Sequence, residues 1–151
     1  VPQTVSLFSG TVGENITIGV DDYDEKFLLK VSEISGVMSW LGRTPNGFDY
    51  KLSEGGKELS GGQRQTIAIA RALIRKPHYI ILDEPTANMD TATEQLVLKN
   101  LAEYFKDETV LIVTHRMAPL SLVSRIVVLD NGRVNVDGPK EKILERLKGA
   151  A

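Results

Sequence analysis

The stretch Leu59–Pro85, LSGGQRQTIAIARALIRKPHYIILDEP, decides how this chain folds. Ser60 and Gln63 have the spacing of a capping box, which predicts that a helix begins at the two glycines between them. The apolar run Tyr79–Leu82 suits a buried parallel strand, and two acids end it. Glycines at a helix start are typical of a phosphate site, and acids at a strand end are typical of a magnesium site.

On both sides of this stretch, hydrophobic periodicity predicts helices alternating with strands. The order predicts the α/β class, with a mostly parallel sheet and helices on its faces. The predicted helices are Asp24–Leu41, Ser60 to Pro77, one opened by a capping box at Thr91–Glu94, a short one between Thr114 and Arg125, and one from Gly138 to about Leu147. The predicted strands are Tyr79–Leu82, Thr109–Thr114, Arg125–Leu129 and Arg133–Val136, with loops or extended chain at 1–19 and 44–58.

Composition excludes several classes of protein. The net charge of −2 gives no reason to expect a nucleic-acid partner. The chain has no cysteine, which excludes disulfides and a thiolate metal site, and its two histidines disfavour a multi-histidine site. No apolar run approaches the roughly 18 residues of a membrane span, and no signal peptide is visible. We therefore expect a soluble chain.

The acids Asp83 and Glu84 are the first candidates for chemistry. Open α/β sheets bind ligands at the carboxyl ends of their strands. Asp83 could hold Mg²⁺, and Glu84 could polarise a water for attack on a γ-phosphate. His115 ends the next predicted strand, so it could reach the same phosphate. The alternatives are two solvated acids and a histidine in an ordinary loop.

The glycine pair is the second candidate. Free N–H groups at a helix N-terminus attract anions, and glycines let the backbone come close to them. Taken alone, Ser60-Gly61-Gly62 could equally be a flexible helix entry. Three arginines of the same helix, Arg64, Arg71 and Arg75, are most simply a solvated face, and Trp40 is expected to serve packing.

Together these segments resemble the ATPase domains of ATP-binding-cassette (ABC) transporters. Five motifs occur in the family's order: a Q-loop at Gln3, the signature Leu59–Gln63, the Walker B strand Ile80–Glu84, a D-loop at Ala87–Asp90 and the switch loop Thr114–Arg116. The resemblance covers essentially the whole chain.

This resemblance implies ATP and Mg²⁺ as cofactors and a role for each matching residue. Catalysis falls to Glu84, His115 and Gln3, and metal binding to Asp83 and Gln3. Nucleotide binding falls to Leu59, Ser60, Gly61, Gly62, Gln63 and Asp90. It also implies head-to-tail pairing with a second nucleotide-binding domain, normally as a homodimer, and a transmembrane permease domain. The signature then serves the partner's nucleotide.

Two departures from the family pattern stand out. The Walker A loop, G-x-x-x-x-G-K-[S/T], is absent, and the D-loop, commonly Ser-Ala-Leu-Asp, keeps only Asp90. The chain is thus expected to be the C-terminal part of a P-loop NTPase domain. Residues 1–76 would hold the Q-loop, α-helical subdomain and signature helix, and residues 77–151 the C-terminal part of the RecA-like core. Alone it should be inactive, and its exposed sheet should make it self-associate or be less stable than a whole domain.

The family branches differ in what the ATPase drives. DNA-repair and chromosome ATPases insert a coiled coil after the Q-loop, whereas about 55 residues without heptads separate Gln3 from Leu59 here. A non-catalytic interaction module would not need both Glu84 and His115. An exporter remains, at the cytoplasmic face of the bacterial inner membrane.

Within exporters, Leu7–Ile16 resembles the stretch after the Q-loop of fused permease–ATPase exporters, and Ser53–Gly56 lies where such exporters have a loop that senses the transmembrane coupling helices. The run Asp49–Gln65, the segment Asp83–Thr86 and the segment from Thr114–Met117 to Leu129–Arg133 resemble type I secretion ATPases, which export proteins such as toxins. That branch implies an adaptor and an outer-membrane channel as partners. A peptide, lipid or drug exporter is the alternative.

Overall fold

The computed structural model describes residues 1–106 and 108–148. Its helices are α1 (Val12–Thr17), α2 (Glu25–Ile34), α3 (Met38–Leu41), α4 (Gly61–Leu73), α5 (Thr91–Tyr104) and α6 (Lys140–Lys148), with 3₁₀ turns at Gly47–Asp49 and Ala118–Leu122. Its strands are β1 (Gly10–Thr11), β2 (Lys51–Leu52), β3 (Tyr79–Asp83), β4 (Thr109–Val113), β5 (Arg125–Asp130) and β6 (Arg133–Pro139). The predicted C-terminal part, 77–151, extends beyond the described residues by positions 149–151.

The parallel pair β3–β4 is the part of the sheet that matters for the site. Asp83 is level with Val113, so both strands reach their carboxyl ends at one edge. Val1 lines the other side of β3: its amino group donates to the carbonyl of Ile81 at 2.6 Å, and the Asp83 N–H donates to its carbonyl at 2.9 Å. This is the hydrogen-bond pattern of a parallel neighbour.

The α/β class is confirmed, with one difference in the strands. Within the described residues β3–β4 is the single parallel pair, whereas β1–β2 and β5–β6 are antiparallel and form separate two-stranded sheets. The pair β5–β6 follows from the turn at Asn131 and Gly132, both of which have positive φ, as a tight hairpin requires.

Helix α4 lies at the centre of the core. Its buried side chains include Ile67, Ile69 and Leu73, each 0% exposed, and it packs against α1 and α2. The inner face of β3, with Ile80 and Leu82, joins the same apolar cluster. The signature helix and the strand that carries the acids are therefore fixed to one packed body.

The outer face of β3–β4 is bare. Side chains alternate across a strand, and those on this face are exposed: Tyr79 77%, Ile81 58%, Leu111 55% and Val113 53%. Such a continuous apolar patch is unusual on a folded monomer.

Two predicted boundaries at the N-terminal side were wrong. Residues 12–17, predicted as loop, form α1, which begins with a capping box between Thr11 and Glu14. The predicted helix Asp24–Leu41 is broken into α2 and α3 at Gly36, whose φ is +84°. A Cβ at Gly36 would lie 2.8 Å from the Val97 side chain, so glycine lets this turn approach α5.

Three further details differ from prediction. Helix α5 is capped by Asp90, whose side chain accepts from the Thr93 N–H, and not by Thr91. Strand β6 continues three residues beyond Val136. The segment between Thr114 and Arg125 holds a 3₁₀ turn in place of an α-helix. The predicted capping box of α4, from Ser60 to Gln63, is confirmed.

Candidate functional site

Glu84 and His115 meet at the carboxyl edge of β3 and β4. His115 Nδ1 lies 2.7 Å from Glu84 Oε1, and the His115 backbone N–H donates to the same oxygen at 2.8 Å. The Thr114 hydroxyl donates to Glu84 Oε2 at 3.1 Å. The Glu84 side chain is 11% exposed and that of His115 is 79% exposed. The carboxylate is thus held inside, while the ring that contacts it faces solvent.

Two opposing effects act on the pKa of Glu84. Burial raises the pKa, because it disfavours the charged form. The hydrogen bonds from His115 and Thr114 lower it, and together they outweigh burial, so the pKa lies below its ordinary value. Glu84 is therefore an anion at neutral pH and can accept a proton.

The backbone of Glu84 is in the left-handed region, with φ +44°. A residue other than glycine in this conformation costs about 1–3 kcal/mol and needs support from its surroundings. Its N–H donates to the Val113 carbonyl at 2.9 Å, and its carbonyl accepts from the Ala87 N–H at 3.2 Å. These bonds turn the chain sharply after β3 and direct the carboxylate toward His115.

Asp83 lies at this edge of the sheet, and Gln3 follows two residues after Val1, which pairs with β3. Val1 is level with Leu82, so the chain that follows it runs toward the same edge. Gln3 is exposed and Asp83 is partly buried. Within residues 1–106 and 108–148, no hydrogen bond joins the Gln3 side chain to Asp83, Glu84 or His115.

The side chains at this edge could hold a Mg²⁺ ion that arrives with a nucleotide, but not one bound by the protein alone. The described residues hold no group of three or more His, Cys, Asp or Glu side chains that could coordinate a metal by themselves. Mg²⁺ usually takes one or two carboxylates and completes its shell with water and substrate phosphates. Asp83 with the amide oxygen of Gln3 suits such an ion, brought in with a nucleotide.

The start of α4 has the form of an anion site. Ser60 Oγ accepts from the Gln63 N–H at 3.1 Å, and Gln63 Oε1 accepts from the Ser60 N–H at 2.8 Å. Leu59, 6% exposed, fixes the entry to the helix. The N–H groups of Gly61 and Gly62 have no intrahelical acceptor, since they belong to the first turn.

The same glycines have a packing role that sequence alone did not reveal. A Cβ on Gly62 would lie 2.8 Å from the carbonyl oxygen of Asn88 and 3.3 Å from Met89 Cα. A Cβ on Gly61 would lie 2.9 Å from the Asn88 Cβ. Helix α4 and the loop after β3 therefore touch through backbone, and glycine makes this possible.

Asp90 ends that loop as a helix cap. Its carboxylate accepts from the Thr93 N–H at 3.0 Å and from the Thr93 hydroxyl at 2.7 Å. These bonds lower its pKa. Its predicted contact with a nucleotide stays a prediction.

Two of the three arginines, Arg64 and Arg71, are partly buried and so do not form the predicted solvated face, whereas Arg75, two residues past the end of α4, is exposed as predicted. Arg71 donates from Nε to the Asn15 carbonyl at 2.8 Å and from Nη1 to the Ser6 carbonyl at 3.1 Å. Arg64 and Arg75 also bond to carbonyls, those of Leu59 and Ile18. Burial lowers the pKa of Arg71. The helix thus holds residues 6–18 in place. Trp40 is partly buried and donates to Thr66 Oγ1 at 3.0 Å, consistent with packing.

Sequence reasoning also missed a cluster beside Glu84. Arg116 donates to the Thr86 carbonyl at 2.6 Å and to Glu94 Oε2 at 2.8 Å, and the Thr86 hydroxyl donates to Glu94 Oε1 at 2.5 Å. The one sequence feature that could have indicated this cluster is the position of Arg116 directly after the candidate His115. Its buried partner Glu94 lies 22 residues away in sequence, where no local pattern connects them.

Comparison with known proteins identifies the family of this chain. The model of the ABC transporter family matches residues 1–87. A putative export ATP-binding/permease protein of Rickettsia bellii is 36% identical over 145 residues, covering 96% of this chain and 25% of that protein. An ATP-dependent lipid A-core flippase of Desulfotalea psychrophila is 38% identical over 145 residues, with the same coverage.

A solved structure extends the likeness to the fold. The ATP-bound structure of a bacterial Atm1-family ABC exporter superposes with a TM-score of 0.90 at 31% identity, covering all of this chain and 28% of that one. The chain belongs to the ABC transporter family, in an exporter context. It spans about a quarter of the length of the relatives it matches. In the described part of the chain, no helix has the length and apolar character needed to cross a bilayer.

Proposed function

We propose that this chain supplies part of the ATP-hydrolysing machinery of a bacterial exporter. The observation that carries the proposal is the contact between Glu84 and His115 across the ends of two parallel strands. A buried, anionic carboxylate held by an exposed imidazole is suited to accept a proton from water, and few structural roles need both groups. The match to exporter relatives supports the same conclusion.

In this proposal Glu84 is the general base. Each carboxylate oxygen has two acceptor positions. Oε1 uses both for His115, whereas Oε2 uses one for Thr114 and keeps the other for a water. When Mg²⁺–ATP is bound, ATP supplies the phosphoryl group and Mg²⁺ neutralises the negative charge on the phosphates. Asp83 and Gln3 would hold that ion, and His115 would fix the Glu84 carboxylate and reach the γ-phosphate.

The signature helix would serve a second nucleotide. The N–H groups of Gly61 and Gly62, the Ser60 hydroxyl and the positive end of α4 would take the phosphates of ATP held by the partner subunit. Leu59, Gln63 and Asp90 would shape the same interface. This proposal requires a dimer of nucleotide-binding domains joined to a permease, at the cytoplasmic face of the inner membrane.

Two substrate classes deserve a test. Several relatives are named as lipid A-core flippases, which favours an amphiphilic lipid. The stretches Asp49–Gln65 and Asp83–Thr86 resemble type I secretion ATPases, which favours an unfolded protein with an adaptor and outer-membrane channel.

The test is ATP turnover by the intact protein in liposomes. Turnover that rises with a lipid A-type amphiphile supports a lipid exporter, and turnover that rises with an unfolded secretion substrate supports type I export. No turnover in any condition, with a folded dimer, would reject the catalytic proposal in favour of an interaction module.

A further inference from the structure

Thr86, Glu94 and Arg116 form a closed triangle of hydrogen bonds. Glu94 is 5% exposed and Thr86 is 1% exposed. Both Glu94 oxygens are used, one by the Thr86 hydroxyl and one by Arg116 Nη2, while Arg116 Nη1 binds the Thr86 carbonyl. A buried carboxylate needs this compensation, and charge-assisted bonds of this kind are the strong ones.

The triangle joins the three segments that surround the candidate base. Thr86 lies two residues after Glu84, Arg116 directly follows His115, and Glu94 projects from α5. The loop that carries His115 is held from within as well, because the Arg116 N–H donates to Thr114 Oγ1 at 3.1 Å. Arg116 therefore links the two chain segments whose side chains meet at 2.7 Å.

The strained backbone of Glu84 explains why such a link is needed. A left-handed φ at a glutamate persists only when the surroundings fix it. Two residues after Glu84, the Arg116 side chain holds the backbone by donating to the Thr86 carbonyl. Releasing it would let Glu84 relax and move its carboxylate away from His115.

We propose that Arg116, backed by Glu94, is a positioning residue that fixes the Glu84 carboxylate against His115. The inference rests on the proposed function, because it assigns Glu84 the role of base. Arg116 is not assigned any contact with nucleotide. Its two-pronged geometry matters, since one nitrogen binds the Thr86 carbonyl and the other binds the carboxylate; a lysine offers only one ammonium group.

The experiment uses the intact protein that carries this sequence and the variant Arg116→Lys. We expect kcat for ATP hydrolysis to fall about 10- to 100-fold, as for a misplaced catalytic group, with KM within about twofold of the parent.

Controls separate the possible outcomes. Arg125→Ala removes the exposed ion pair to Asp137 and should leave kcat and KM unchanged. If Arg116→Lys does not fold, the neutral pair Glu94→Gln/Arg116→Gln is measured in the same way; loss of folding in both would overturn the inference by making the cluster only a core element. A folded variant with parental kcat, or one in which KM rises while kcat is kept, would also overturn it. Glu84→Gln is measured alongside: parental turnover there would reject the proposed function itself.

Discussion

His115 Nδ1 lies 2.7 Å from Glu84 Oε1, although the two residues are 31 positions apart in the chain. The parallel register of β3 and β4 creates this contact, because both strands end at the same edge. Glu84→Gln keeps the shape of the side chain but cannot accept the proton. In the intact protein we expect ATP still to bind and hydrolysis to fall about 10²- to 10⁴-fold.

The measurement is steady-state ATPase activity together with nucleotide binding. Glu103→Gln, an exposed substitution on α5, is the matched control and should behave as the parent. Near-parental hydrolysis in Glu84→Gln would remove Glu84 from the mechanism.

The pKa of Glu84 gives a second prediction. It is depressed below the ordinary value of 4.5, so its contribution to stability is complete above 4.5 and is lost as the pH falls through the folded-state pKa. His115→Ala removes one of the bonds that lower this pKa and should raise it. Carboxyl NMR titration of the chain would show this, with His78→Ala as the control. An unchanged Glu84 midpoint in His115→Ala would contradict the geometry.

Gly62 tests the contact between α4 and the loop after β3. In Gly62→Ala the new Cβ would lie 2.8 Å from the Asn88 carbonyl oxygen. Backbone cannot give way cheaply, so we expect a loss of about 1–3 kcal/mol in the free energy of unfolding. Gly42→Ala is the control, because Gly42 has φ −62° and its nearest neighbour lies at 3.9 Å. Equal urea midpoints for the two variants would show that the contact is not tight.

The proposed role of Gly62 at the partner's nucleotide predicts that Gly62→Asp abolishes hydrolysis and ATP-driven dimerisation in the intact protein, while the monomer's affinity for ATP is nearly kept. Because any side chain at this position presses on Asn88, that variant must be compared with Gly62→Ala. Only the excess effect of the aspartate reports on a phosphate.

The bare face of β3–β4 predicts self-association of the 151-residue chain. Ile81 and Leu111 are adjacent across the pair, and both are more than half exposed. Ile81→Thr/Leu111→Thr should lower the mean mass in light scattering at high concentration, because it halves the apolar patch. Leu96→Thr removes an isolated exposed leucine on α5 and should have little effect. A parent that stays monomeric at high concentration would contradict the prediction.

The same chain should bind Mg²⁺–ATP poorly. Most β- and γ-phosphate contacts in this class of fold come from the Walker A backbone and lysine, and no such stretch occurs in the sequence. Asp83 and Glu84 repel a polyphosphate when no cation bridges them. Calorimetric titration should show no micromolar binding; a micromolar Kd would show that the remaining groups suffice.

Much of the site could be predicted because its signals are local. Ser60 and Gln63 fix where α4 begins, and an apolar run ending in acids fixes where β3 ends. The parallel arrangement of β3 and β4 then brings Glu84 and His115 together without further information. These inferences need only hydrogen-bond capping and strand direction.

The remainder depends on tertiary contacts that no local pattern encodes. Arg71 is a charged residue on a helix and is therefore predicted to be solvated, yet residues 6–15 pack against it and leave it partly buried. Glu94 resembles a capping-box glutamate, but Asp90 takes the cap and leaves Glu94 to Arg116. The break at Gly36 exists because α5 comes close there, which the sequence of α2 cannot show.

The left-handed backbone at Glu84 implies a trade between durability and activity. Glycine at this position would relieve the conformational penalty, which is about 1–3 kcal/mol, at the loss of the carboxylate and its three hydrogen bonds. A screen for thermostable variants would therefore favour substitutions at position 84. Substitutions chosen there for thermal stability alone would give a more stable protein that no longer hydrolyses ATP, if Glu84 is the base as proposed.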